Sequence, residues 1–281
     1  MTLHMLHLPI VPRLLMECGR QHGLVEDTRA VDLGYLVHSL FARLWQDRAP
    51  KPFDIQDHQG DGLHNPPLSV LAYAPDDIGA AQSSARSGTD TQALAAINWA
   101  DARSKVVPDL APGQRVGFRV RACPTIRVGK HHPSLAHGME VDPYMALIER
   151  ELAARAPADD AERRQLKPQI VAAAPDRETV YRDWLAARFA GAVHLEAIRL
   201  TTLRDARLWR RGEPGPGAPS LMYGRKRPQF RERAMIGRRE AVFEGTLQVN
   251  DAAAFHALLA RGIGRHRAFG FGMLLLRPAA G

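Results

Sequence analysis

The spacing of apolar positions along the chain changes several times, and each change marks an element. The stretch "LHMLHLPIV" at 3–11 roughly alternates and predicts a first strand. From Asp32 to Trp45 the residues Leu33, Leu36, Val37, Leu40, Phe41, Leu44 and Trp45 recur at three and four, which predicts an amphipathic helix. "LSVLAYA" at 68–74 and "QRVGFRVRA" at 114–122 predict further strands, the second entered from a Pro-Gly turn at 112 and 113. Between them, 76–105 has no clear period and reads as a loop with one short helix. These elements form a first β-α-β-β block.

The second half is patterned differently. From 139 to 175 the composition shifts to Ala, Pro and charge, with a helix from Pro143 to Arg155 capped by Asp142, and this stretch reads as the connection between two domains. A second helix runs from about Asp176 to Ala190 and stops at Gly191. "AVHLEAIRL" at 192–200 and "EAVFEGTLQV" at 240–249 alternate as strands. Asn250 and Asp251 offer N-caps to the helix "AAAFHALLAR", which Gly262 ends, and "FGMLLLRP" is the last strand. The order α-β-β-α-β is that of a ferredoxin-like domain whose first strand is weak in the sequence. The expected architecture is α+β, with two tandem ferredoxin-like (RRM-like) domains and antiparallel sheets. Residues 1–128 form the N-terminal domain, 129–175 a connecting insertion and 176–281 the C-terminal domain.

Composition narrows the class. The chain has 281 residues, 45% hydrophobic and 24% charged, which suits a globular protein with a real core. No apolar run reaches a membrane span, and the start lacks the marks of a signal peptide, so a cytoplasmic location without membrane association is expected. Cys18 and Cys123 are the only cysteines, too few for a disulfide framework, and both are expected to be reduced and buried.

Charge changes the picture more. A net charge of +8 and a pI near 10.0 fit a polyanionic partner such as nucleic acid, or simply a generally basic surface. Distribution favours the former. Between 199 and 239 stand Arg199, Arg204, Arg207, Arg210, Arg211, Arg225, Lys226, Arg227, Arg231, Arg233, Arg238 and Arg239, interleaved with Trp209, Tyr223 and Phe230 and opposed only by Asp205, Glu213 and Glu232. Its centre, "GEPGPGAPS", reads as a turning loop.

Two sites carry candidate chemistry. "RGIGRHRAFGFG" at 261–272 joins the last helix to the last strand, with Gly262 and Gly264 before, and Gly270 and Gly272 after, the basic residues Arg265, His266 and Arg267. Glycines with positive φ let successive amides line a phosphate, while a helix cap plus a β-bulge would explain one glycine pair without any ligand. The loop is neither a Walker loop nor a dinucleotide fingerprint. On the first helix, Tyr35 and His38 are neighbours at i and i+3, on the face opposite Leu33, Leu36, Leu40 and Leu44, and they read either as an ordinary surface pair or as a catalytic one. His22 is a second candidate for proton transfer. His131, His132 and His137 lack acidic or cysteine partners at ligand spacing and read as loop residues, so no metal is assigned.

Three motifs resemble a known family. The run "VFEGTLQVNDAAAFHALLARGIGRHRAFGFGMLLLRP" at 242–278 is similar to the end of the CasE-type CRISPR RNA endoribonucleases, where a "FEG" strand, a capped helix and a glycine loop close the second of two ferredoxin-like domains. "PGQRVGFRVRACPTIR" at 112–127 resembles that family's "PGQxxxFRLRANP" strand, with Cys123 where Asn is usual, and "YLVHSLF" at 35–41 resembles its Tyr-x-x-His. Sequence at 20–32, 76–105 and 130–175 is additional, and the resemblance extends to type I-E or a related type such as type IV.

The resemblance implies metal-independent cleavage of CRISPR precursor RNA within the repeat hairpin. A ribose 2′-hydroxyl attacks the adjacent phosphorus and leaves a 2′,3′-cyclic phosphate. The protein then stays on its crRNA and joins other subunits of a crRNA-guided effector complex. On this reading His38 is general base or acid and Tyr35 orients it or the phosphate, and no cofactor is required. Arg225, Lys226, Arg227 and Arg231 are expected on the RNA stem. Gly262, Gly264, Arg265, His266, Arg267, Gly270 and Gly272 are expected near the cut. Arg119 and Arg121 share one strand face that could meet RNA. A noncatalytic crRNA-binding subunit is the alternative.

Overall fold

The computed structural model describes residues 2–25, 31–57, 68–87, 90–211 and 233–279, with 207–211 and 233–236 described at the level of the backbone. Strand β1 (His4–Ile10) leads into α1 (Pro12–Gln21), whose Pro12 occupies the first helical turn, and then α2 (Leu33–Trp45). There follow β2 (Phe53–Asp57), β3 (Leu68–Ala74), α3 (Ile78–Arg86), α4 (Thr91–Ala95) and β4 (Arg103–Val106). Their antiparallel sheet has the order β2-β3-β1-β4. It buries Leu6, Leu8, Ile10, Val70 and Ala72 against Leu36, Val37, Leu40, Phe41 and Leu44 of α2. The unpatterned stretch 76–105 therefore holds two short helices and an edge strand.

The second half begins with β5 (Arg115–Ala122), followed by the small hairpin β6 (Ile126–Arg127) and β7 (Glu140–Val141). Helices α5 (Pro143–Ala154), α6 (Asp160–Ala173) and α7 (Arg177–Phe189) come next. Two long strands, β8 (Val193–Arg211) and β9 (Arg233–Val249), precede α8 (Ala252–Arg261) and β10 (Leu274–Pro278). This sheet has the order β10-β5-β9-β8. Each sheet therefore follows the 4-1-3-2 order of a ferredoxin-like fold, as expected from the sequence.

Two expectations are corrected. The strand at 114–122 does not close the first domain. It pairs with β9 and β10, and it is the "weak" first strand of the second domain. Nor is 139–175 merely a connection, because Tyr144, Ile148 and Leu152 of α5 and Ile170 of α6 are buried in the second half's core beside Phe118, Tyr181 and Phe243. The predicted caps at Asp142 and Asp251 hold, Asp142 accepting from the amides of Tyr144 and Met145 and Asp251 from Ala254, and Asp176 accepts from Thr179 at the start of α7. Both cysteines are free and buried, and burial pushes the Cys123 thiol up to about 12.

The halves are joined through the second core. Leu3, Tyr73 and Val107 of the first half pack into it, and the Tyr73 hydroxyl donates to the Leu274 carbonyl at 2.8 Å.

Candidate functional site: helix α2 beneath the glycine loop

Helix α2 starts where the Asp32 carboxylate accepts the Tyr35 amide at 2.9 Å, which fixes the first turn and the place of Tyr35 and His38 on it. Tyr35 is not displayed to solvent as the helical wheel predicts. It is buried, because Phe269 from the opposite half of the chain lies over it, the two rings nearly parallel at 6° with centroids 6.2 Å apart. The same phenyl ring stands 4.9 Å from His38, and His38 lies 6.4 Å from Tyr35. Gly34 permits this approach, since a Cβ there would sit 2.3 Å from the Phe269 carbonyl oxygen. His38 is half-buried, and burial first, then the nearby Lys51 ammonium, lowers its pKa below the ordinary histidine value. Both effects favour the neutral imidazole, which has the lone pair a proton acceptor needs.

The glycine loop lies at the junction of the halves and is largely buried, not a surface loop. Gly262, Gly264, Gly270 and Gly272 all have positive φ, between 73° and 82°. Their openness is used internally. A Cβ on Gly272 would lie 2.1 Å from the Ile263 carbonyl oxygen, and one on Gly262 would lie 2.8 Å from Pro52. The amides of Ile263 and Gly272 donate to Gly272 and Arg121 carbonyls, at 2.8 and 2.6 Å. His266, expected at phosphate or base, has a side chain only 2% exposed, 3.6 Å from Glu140. Glu140 also holds Arg265 at 2.5 Å and Arg238 at 3.6 Å, while Arg267 donates to the Arg261 carbonyl. Glu140 thus collects three cationic or titratable groups, and the sequence pattern gave no sign of it.

Arg119 and Arg121 do share a strand face, and it faces the buried Asp54 of β2. Arg119 Nη1 lies 3.3 Å, and Arg121 Nε 3.2 Å, from the Asp54 carboxylate, which Gln56 also reaches. Burial pushes the Asp54 carboxyl up, against the opposing pull of Arg121 and Arg119. Arg121 is 15% exposed and further engaged by Gly270, Glu240 and the Phe271 ring, so it serves the protein's interior rather than an open RNA face. Arg119, at 37%, retains an accessible edge.

The basic segment forms an arm from the distal parts of β8 and β9, paired from Arg204 opposite Glu240 out to Arg211 opposite Arg233. Arg204 binds Glu240 at 2.6 Å and Arg239 binds Asp205 at 2.8 Å, cross-strand pairs that stiffen its base. Arg225, Lys226, Arg227 and Arg231 lie outside the described residues. His22 stands at the end of α1, 4.0 Å from Asp90 in a cluster with Arg43. His132 receives the amides of Ser134 and Leu135 and shapes its own loop.

The family described as "CRISPR associated protein" matches residues 21–278. No curated protein matches the chain. Similar solved structures include Cse3 from Thermus thermophilus bound to an RNA representing a pre-cleavage complex, with 18% identity and a TM-score of 0.52 over 99% of this chain and 100% of that one. A CRISPR endoribonuclease Cse3 bound to a 19-nucleotide RNA gives 19% identity and a TM-score of 0.51 over 99% and 100%. Cas6e from Escherichia coli str. K-12 gives 16% and 0.51 over 98% and 100%. At such identities the likeness is one of fold.

Proposed function

The chain belongs to the family of CRISPR-associated proteins, and on that premise we propose that it is an endoribonuclease that cuts CRISPR precursor RNA within the repeat hairpin. The observation that carries this reading is the Tyr35–His38 pair on α2, covered by the glycine loop of the other half, where burial lowers the His38 pKa. A neutral imidazole accepts the proton of the 2′-hydroxyl, whose oxygen attacks the adjacent phosphorus and expels the 5′-oxygen of the next nucleotide, which takes a proton from the imidazolium so formed or from water. The products carry a 2′,3′-cyclic phosphate and a 5′-hydroxyl. Positioned general base catalysis of this kind contributes about 10²–10⁴ in rate. Tyr35 sets the histidine's orientation or contacts the scissile phosphate. Lys51, whose charge reaches His38, is exposed and offers its ammonium to the negative charge that grows on phosphate.

The arm of β8 and β9, with Arg225, Lys226, Arg227 and Arg231 in its connecting segment, grips the stem of the hairpin through phosphates, as the shape of A-form RNA requires. One solved relative in fold is named as a CRISPR endoribonuclease bound to RNA and another as Cse3 bound to an RNA representing a pre-cleavage complex, which supports this assignment of partner. Retention of the cut product would carry the protein into a crRNA-guided complex with other subunits.

The test is cleavage of the host's repeat RNA in EDTA by the native protein, His38→Ala and His22→Ala, with hairpin affinity measured alongside. The expected result is a discrete cut, lost by about 10²–10⁴ only in His38→Ala, at unchanged affinity. The rate should rise with pH through an inflection below the ordinary histidine value near 6.5, because only the neutral form of His38 accepts the proton. Tight binding without any cut would leave a noncatalytic crRNA-binding subunit.

A further inference from the structure

We propose that Phe269 is a positioning residue for His38, and that a buried tether running from Asp54 through Arg121 to Gly270 holds it in place across the two halves of the molecule. The proposal rests on the reading of His38 as the proton acceptor and adds to it two groups that touch no RNA.

A phenylalanine inside a basic glycine loop asks for an explanation. Its neighbour Phe271 is 3% exposed and packs on Cys123, so it is an ordinary core residue. Phe269 is only half-buried, on a short 3-10 turn (Arg267–Phe269), and its ring is spent on Tyr35, His38 and His266 at centroid distances of 6.2, 4.9 and 6.3 Å. It forms the apolar wall of His38. Facing that histidine are also Tyr35 from α2 and the Lys51 charge from the segment before β2, and His266 stands 6.3 Å from the same phenyl ring. Removing the wall lets water reach the imidazole, which weakens the desolvation that lowers its pKa and frees the ring to turn.

The wall is held from below. The Arg121 guanidinium donates from Nη2 to the Gly270 carbonyl at 2.7 Å, one residue beyond Phe269, and from Nε to Asp54 at 3.2 Å. The Arg121 carbonyl accepts the Gly272 amide at 2.6 Å, so one residue grips the loop with both its main chain and its side chain. Asp54, on the first sheet, fixes the guanidinium from the opposite half. A planar, forked group is needed to reach both partners at once, which lysine cannot do.

The experiment follows the His38 ring through a pH titration by NMR in the free protein, alongside single-turnover cleavage against pH and hairpin affinity. Phe269→Ala, Phe269→Leu, Phe269→Tyr and Arg121→Lys are compared with the native chain. In Phe269→Ala the His38 midpoint should move up toward 6.5, and the rate should fall by about 10²-fold at unchanged affinity, the scale of a displacement of about 1 Å at a reacting group. Phe269→Tyr should restore both, and Phe269→Leu, which keeps apolar volume if the alanine variant does not fold, should fall between. Arg121→Lys should reproduce the shift although it does not touch His38. An unmoved midpoint in the folded Ala and Leu variants overturns the role of Phe269, and an unmoved midpoint in Arg121→Lys overturns the tether. The titration needs no cleavage, so a native protein that fails to cut would sink the enzyme reading while leaving the wall itself to stand or fall on its midpoint.

Discussion

In the first half the chain passes from α4 to β4 through residues 96–102, "AINWADA"; in the second, the same step in the same topology takes residues 262–273, "GIGRHRAFGFGM". The first connection stays on its own sheet. Ile97 is 2% exposed and bridges Ile10, and the Asn98 amide donates to the Pro9 carbonyl at 2.9 Å. The second leaves its sheet, turns through four glycines of positive φ and lays Phe269 on α2 of the other half. Repeating a fold supplies two frames of equal order. The candidate site arises where they cease to be equivalent.

The largest expected effect comes from denying the longer connection its turn. In Gly272→Ala, φ of 78° costs about 1–2 kcal/mol for an L-residue, and a methyl 2.1 Å from the Ile263 oxygen adds about 1–3 kcal/mol of overpacking. Gly191→Ala at the end of α7 has φ of 80° with nothing within 4 Å, and should carry only the first term, about 1–2 kcal/mol. Denaturant unfolding of both measures the difference. Equal losses would mean that the loop tolerates repacking and is not pinned as described.

Gly34→Ala separates the helix from what covers it. Alanine gains at most about 1 kcal/mol of helix propensity, less in the first turn where Gly34 stands, and its methyl would stand 2.3 Å from the Phe269 carbonyl oxygen and must displace the loop. Stability should therefore fall by less than in Gly272→Ala, where a positive φ adds to the clash, while cleavage falls by up to about 10²-fold, since the group misplaced lies against His38. Loss of stability with normal cleavage would show that the loop's contact with α2 is structural only.

Much of this was legible in the sequence wherever a periodic apolar stripe met a cap. Helix α2 appears within a residue of its observed start, and Asp142 and Asp251 cap the helices they were expected to cap. The elements missed have no stripe to read. Helix α3, "IGAAQSSAR", buries only Ala81 and Ala85, and β4 is four residues with one partly buried. Strand β5 was readable, but which sheet claims it depends on partners more than a hundred residues downstream. The site shows the same division. Tyr35 and His38 stand out by spacing, and the shared face of Arg119 and Arg121 follows from alternation. That Asp54 answers those arginines, that Glu140 gathers Arg265 and Arg238, and that Phe269 buries Tyr35 are all contacts between distant segments. Local patterns do not encode them.

The smallest effect is expected in the first half's own connection, and it is the control that gives the others meaning. The Asn98 side chain donates to the Asp101 carboxylate at 2.8 Å on an exposed turn. Asn98→Ala removes that one solvent-facing bond, whose net worth is about 0.5–1.5 kcal/mol at most and less where water replaces it. Its backbone bond to Pro9 is untouched, so the turn keeps its path. The expected result is a stability change below about 1 kcal/mol with cleavage and hairpin affinity unaltered. A clear loss of cleavage from this position would mean that the shorter connection also bears on the site, and that the asymmetry between the halves is not where the chemistry comes from.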